Sequence, residues 1–151
     1  YALNGREFSW RAISGKIPDP YSVWVSEIML QQTRADVATP FIQKFLLRWP
    51  KVSDLANASL EEVLSAWAGL GYYARGRNLH RCALIILNEY DGVFPESEEE
   101  LKKLPGIGNY TAAAISAIAF DHPTVGIDVN VERVISRLFG IKIPFPKAEA
   151  L

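Results

Sequence analysis

The run Leu104-Pro105-Gly106-Ile107-Gly108-Asn109-Tyr110-Thr111, leading into Ala112-Ala113-Ala114-Ile115, constrains this chain more than any other stretch. A short helical pattern precedes it, opened by Ser97 with Glu100 three residues on, a capping-box spacing. A helix of small residues follows. Pro-Gly-x-Gly between two helices makes a hairpin too tight for side chains. Glycine reaches backbone conformations that other residues resist, and it lets a ligand approach the chain. Main-chain N–H groups then point outward at the start of the second helix, where unpaired donors and the helix dipole attract anions. A phosphate diester fits that description. A Schellman-type stop followed by a new helix fits the same residues, so the hairpin alone does not decide.

The rest of the pattern is helical. Asp19-Pro20 opens a helix carrying Val23, Trp24, Ile28, Met29 and Leu30, and Gln31-Gln32-Thr33 interrupts it. The pattern resumes over 34–49 on Val37, Phe41, Phe45 and Leu46, until Pro50 ends it. Residues 53–56 read as a short helical turn. Ser59 with Glu62 forms a second capping box, leading Val63, Leu64 and Trp67 into a core face. Gly69-Leu70-Gly71-Tyr72-Tyr73 breaks that helix, and 75–90 form a longer one with Leu79, Cys82, Ile85 and Ile86 on one side. After the hairpin come a helix to Phe120, a loop over 121–126 and a last helix from about Asn130 to Phe139. Strand alternation, internal repeats and low-complexity segments are missing, so the expected fold class is all-α.

At 151 residues and 49% hydrophobic, the chain can bury one substantial core. Its single cysteine, Cys82, excludes a disulfide framework and suits a reducing compartment. Neither a secretory signal nor a membrane-length apolar run is present, and no membrane partner is expected. The net charge of −1 lacks the basic signature of nucleic-acid binders, although backbone amides hold phosphates without adding charge. The first residues read as the middle of an element and the last as a helix just starting, as expected for a piece of a longer protein.

Several residues are candidates for chemistry. Asp128, between Ile127 and a helical pattern, reads most simply as an N-cap. Glu27 lies among apolar neighbours, where an unpaired carboxylate is expensive. Either it finds a partner, or it sits in a cleft with a raised pKa suited to giving up a proton. Gln31-Gln32-Thr33 suits a surface that hydrogen-bonds a base edge; a solvated kink is the alternative. The loop 69–73 offers an apolar wedge with aromatic rings, the type of element that unstacks duplex DNA, or else an ordinary helix stop. Arg75, Arg77, His80 and Arg81 form the one dense basic cluster, a solvated face or a phosphate contact.

Taken together, four stretches resemble the helix-hairpin-helix DNA glycosylases, specifically the adenine glycosylases of the MutY type. They are Ser26-Glu27-Ile28-Met29-Leu30-Gln31-Gln32-Thr33, Gly69-Leu70-Gly71-Tyr72-Tyr73-Ala74-Arg75, the hairpin Leu104 to Ala112, and Asp128-Val129-Asn130-Val131-Glu132-Arg133-Val134. The resemblance implies a six-helix barrel domain over 21–140 with the helix-hairpin-helix at 97–120. Residues 1–20 and 141–151 would belong to a second helical domain. It further implies monofunctional removal of adenine mispaired with 8-oxoguanine or guanine in duplex DNA, by a monomer placed in the bacterial nucleoid or a eukaryotic nucleus or mitochondrion. Glu27 would protonate adenine at N7, Asp128 would stabilise the sugar cation, and Asn130 would orient it. Trp10, Arg11, Leu30 and Arg6 would line the adenine pocket. Gln31, Gln32, Thr33, Leu70 and Tyr72 would face the lesion strand or enter the stack. Gly106 and Gly108, with a monovalent cation on nearby carbonyls, and Arg75 and Arg77 would hold the DNA backbone.

Tyr110 stands where the bifunctional endonuclease III type carries the lysine that forms a Schiff base, so strand cleavage is not expected. Two departures stand out. Val129 replaces the glycine common between the aspartate and the asparagine. The family's iron–sulfur cluster (4Fe-4S), on four cysteines beyond this region, and its domain for 8-oxoguanine have no place here. An isolated segment ending at Leu151 is therefore expected to be weakly active or inactive. A thymine-mismatch glycosylase and a purely DNA-binding module are the rival readings.

Overall fold

The computed structural model describes residues 17–141. Over this range the chain forms eight α-helices and no strand: α1 Pro20–Leu30, α2 Ala35–Arg48, α3 Val52–Asn57, α4 Leu60–Trp67, α5 Tyr73–Glu89, α6 Glu98–Leu101, α7 Asn109–Phe120 and α8 Val129–Leu138. Local chemistry sets most of the boundaries. Asp19 accepts the Ser22 amide at 2.9 Å and Pro20 takes the first helical position, where its missing N–H costs nothing. Ser59 and Glu62 complete their reciprocal box, at 3.2 and 3.0 Å. At α6 only half of the expected box forms. Ser97 accepts the Glu100 amide, but the Glu100 carboxylate turns to Lys103 and to the Tyr90 hydroxyl.

Helices α1 and α7 form the centre. Neither is amphipathic, and both are buried around most of their circumference, as a helix apolar on every face must be. They pack directly on each other, and Ser26 of α1 and Ala112, Ala113, Ala114 and Ala119 of α7 are all buried. Trp24, Met29, Phe45, Trp67, Leu79, Ile86, Leu101 and Ile115 fill the core around them. On α2 the buried stripe is Ala38, Ile42 and Phe45, continued by Trp49; Val37 is exposed. That stripe has the helical i, i+4, i+7 and i+11 spacing; of the expected face, Phe45 is buried and Phe41 and Leu46 pack half-buried against the core. Among the described residues no helix is long and apolar enough to cross a membrane.

The hairpin is built as its sequence requires at one glycine and not at the other. Gly106 adopts φ +79°, and a Cβ there would stand 3.0 Å from the Cβ of Asn78 on α5. Gly108 is extended, φ −91° and ψ −177°, with nothing within 4 Å of an added Cβ. Gly106→Ala is therefore expected to cost about 2 kcal/mol, combining left-handed strain with displacement of α5. Gly108→Ala should stay within about 0.5 kcal/mol. Urea unfolding of the two variants checks the difference, and equal costs would refute it.

Candidate nucleic-acid and base-excision site

The two acids begin on different elements. Glu27 lies on α1, half-buried, on a helix whose other residues from Val23 to Met29 are buried. Asp128 is the N-cap of α8, and its carboxylate accepts the amides of Asn130 and Val131 at 3.0 and 2.8 Å. The Asn130 side-chain amide donates to its other oxygen at 2.8 Å. The Val131 amide foremost, with both Asn130 donors, holds this carboxyl below the usual carboxylate range. It is thus a fixed anion at a helix N-terminus, where the dipole favours negative charge.

Contacts lead from α1 to the backbone just before that anion. One turn beyond Glu27, the Gln31 amide donates to Thr111 Oγ1 at 3.1 Å, joining the end of α1 to the first turn of α7. Next to Thr111, the half-exposed Tyr110 lays its ring against Gly126, where an added Cβ would meet ring carbons at 3.2 Å. Gly126 lies two residues before Asp128. A side chain at 126 would require the ring to give by a few tenths of an ångström. The start of α7 has no side-chain cap, so the amides of its first turn are free of a capping side chain. Val129 causes no distortion: it opens α8 with helical backbone, outside the left-handed region.

Because the folded pKa of Asp128 is depressed, its contribution to α8 is complete above the ordinary carboxylate pKa and is lost as pH falls through the lower folded value. Protection factors at Asn130 and Val131, exchange rates relative to those of the unstructured chain at the same pH, should be steady from neutrality to about pH 4 and fall below it. Asp128→Ala should cost about 1 kcal/mol of local stability at pH 7. Loss of protection already at pH 6 would contradict this.

Around the other loops the structure corrects several expectations. Leu70, expected at an exposed tip, is 6% exposed and belongs to the core; the loop presents Tyr72 instead, 64% exposed. Gly69 and Gly71 both have positive φ and turn the leucine inward beneath the loop. Within Gln31-Gln32-Thr33, Gln32 is the exposed residue, while Gln31 is tied to Thr111 and Thr33 Oγ1 accepts from Arg75. Arg75, expected on DNA phosphates, points into the protein. Its Nη1 donates to the carbonyls of Ile28, Met29 and Gln31, and its Nη2 to Thr33 Oγ1 and the carbonyls of Leu70 and Gly71. Its Nε is buried. Arg77 is exposed, as a backbone contact would need, and Leu30 is half-buried against the core. Arg6, Trp10 and Arg11 lie outside the described residues.

Two hollows of about 220 and 240 Å³ open on the surface. Residues such as Arg48 and Glu61 line one, and Glu98 and His122 the other; neither borders Glu27 or Asp128. No group of three metal-ligating side chains occurs among the described residues. An iron–sulfur cluster does not fit this chain. Cys82 is its one cysteine, fully buried on α5, with the thiol pKa pushed up by burial.

A family model described as HhH-GPD superfamily base excision DNA repair protein matches residues 25–150. The chain belongs to this superfamily. Among curated relatives, the adenine DNA glycosylase of Mus musculus is 44% identical over 146 residues, which is 93% of this chain and 28% of that protein. That of Homo sapiens is 44% identical over 146 residues, 93% of this chain and 27% of the relative. That of Buchnera aphidicola subsp. Baizongia pistaciae is 42% identical over 125 residues, covering 83% and 36%. The chain thus spans between 27% and 36% of the length of these relatives. Among solved structures, a thermostable thymine-DNA glycosylase superposes with TM-score 0.81 at 31% identity, over 89% of this chain and 61% of that one. A non-covalent endonuclease III–DNA complex gives 0.76 at 25% identity, over 85% and 61%. The all-α expectation and the helix-hairpin-helix membership agree with these findings.

Proposed function

We propose that this chain carries the base-excising part of a monofunctional adenine DNA glycosylase, which hydrolyses the bond between deoxyribose and adenine mispaired with 8-oxoguanine or guanine in duplex DNA. What supports it is the set of contacts from Gln31 of the α1 end to Thr111 and from Tyr110 to Gly126, two residues before a carboxylate whose pKa is lowered by its cap hydrogen bonds, together with relatives named adenine DNA glycosylase. Adenine leaves poorly until its ring is protonated, and the sugar then gains positive charge. Glu27 would give its proton to N7. Asp128, steadied by Asn130, would face the developing cation and stabilise it electrostatically, and water would complete the hydrolysis. This pairing of an acid with a fixed anion follows the logic of other sugar hydrolases. Tyr110 has no amine with which to form a Schiff base, so the strand stays uncut.

The remaining roles follow. Gln32 and Tyr72 would meet the lesion strand, Arg77 and the amides near Gly106 and Gly108 would hold phosphates, and Leu30, Arg6, Trp10 and Arg11 would wall the base. Residues 21–140 would form the barrel domain, with 1–20 and 141–151 in a second domain. We place the protein as a monomer with the cell's DNA, in a reducing compartment.

The likeness to a thymine-DNA glycosylase favours one second reading, excision of thymine opposite guanine. A single-turnover panel decides: duplexes with adenine opposite 8-oxoguanine, adenine opposite guanine, and thymine opposite guanine. Release of adenine from the first two is expected; release of thymine alone would overturn the proposal.

A further inference from the structure

Two non-glycine residues in this structure have left-handed backbone and stand exposed on loops assigned to DNA: Gln32, φ 54°, and Tyr72, φ 46°. Each such residue costs of order a kcal/mol and persists only where its surroundings hold it. The carbonyl immediately before Gln32 is that of Gln31, and the carbonyl immediately before Tyr72 is that of Gly71. Both accept from the same guanidinium, Gly71 at 3.4 Å. The other acceptors extend the same grip. Ile28 and Met29, each at 3.1 Å, are carbonyls at the end of α1 that the helix leaves without partners. Thr33 Oγ1 at 3.2 Å and Leu70 at 3.3 Å lie on the two loops themselves. The guanidinium lies 5.5 Å from the ring centroids of both Trp67 and Tyr72. Trp67 Nε1 adds a second donor to the Gly71 carbonyl, at 3.1 Å.

We propose that Arg75 is a positioning residue: one guanidinium fixes the Gln31–Gln32 and Gly71–Tyr72 peptides together, so that Gln32 and Tyr72 are presented to DNA as one preformed surface. Its planar fork of donors suits this task, whereas a lysine offers a single point charge. The binding energy that would otherwise order two loops is then spent on the duplex. That duplex DNA is what the loops receive rests on the reading above; the clamp itself does not.

The test uses the native chain that carries these residues. In the DNA-free wild type, the Arg75 Nη protons are expected as separate, slowly exchanging resonances, little changed when duplex is added. Averaging into one freely rotating guanidinium signal in the free protein would overturn the proposal, and this readout needs no variant. In Arg75→Lys, amide exchange at Thr33 and Leu70, whose N–H groups donate to the carbonyls of Leu30 and Trp67 at 3.2 and 3.1 Å, should accelerate about tenfold while α7 stays protected. Duplex affinity should fall by a similar factor, with its salt dependence unchanged, because no phosphate contact is lost. Unchanged loop exchange with a salt slope reduced by about one would mean that Arg75 contacts a phosphate, and the clamp would be wrong. The exchange data are taken without DNA, so they decide the clamp even where the substrate panel overturns the glycosylase reading.

Discussion

Glu27→Gln is expected to lower single-turnover adenine release by about 100- to 10,000-fold, the usual scale for removing a general acid. Duplex affinity should stay within about threefold, a shift of less than 1 kcal/mol. Glutamine keeps the shape and hydrogen-bonding reach of the side chain but has no acidic proton to give. The residue is half-buried on α1, one turn before Gln31, so the substitution leaves the helix and its junction with α7 in place. Loss of rate with retained binding separates an excising enzyme from a module that only holds DNA. A variant as fast as wild type would remove Glu27 from the chemistry. Base release and duplex binding, measured on one preparation, give both readouts.

The largest effect on stability is expected at Trp67. It is fully buried and edge-on to Phe45 at 6.3 Å between ring centroids, and it closes against Gly76 of α5, where a Cβ would meet its ring at 3.0 Å. It also forms the floor beneath the 69–73 loop through its bond to the Gly71 carbonyl. Trp67→Ala should cost about 3–5 kcal/mol, the range for emptying a buried aromatic site. Trp67→Phe keeps most of the packing and deletes the indole donor, and should cost about 1–2 kcal/mol. Equilibrium urea unfolding measures both. A loss below about 1 kcal/mol for the alanine variant would mean that the ring is not the floor described.

What could be read from the sequence was mostly local. Asp19-Pro20 and Ser59 with Glu62 mark helix starts because their partners lie within one turn, and the structure places α1 and α4 where they indicate. Cys82 is a buried small hydrophobe, as its apolar neighbours suggested. Glu100 shows the limit of the same rule: its spacing lets Ser97 cap the helix, but Lys103 and Tyr90, the residue just after α5, take its carboxylate. The direction of Leu70 depended on two glycines with positive φ, which motif matching does not reveal.

Arg75 is the instructive miss. As one of four basic residues in a row of seven it read as surface, yet 75, 79, 82 and 86 share the i, i+4, i+7 and i+11 spacing of the buried stripe on α5. Arg77 and Arg81 fall off that stripe and are exposed. The periodicity that placed Leu79 and Cys82 inside thus also placed Arg75, and charge obscured it. The path from Gln31 to Gly126 was beyond the sequence, because it joins residues far apart along the chain through side-chain contacts.

The most direct test follows the fate of base and strand together. The protein in its native full length is incubated with a labelled duplex holding adenine opposite 8-oxoguanine, with and without borohydride, and the products are analysed before and after hot alkali. Free adenine, a strand that remains whole until alkali is added, and no trapped protein–DNA adduct are the predicted results. A strand already cut without alkali, with a borohydride-trapped adduct, would contradict the account.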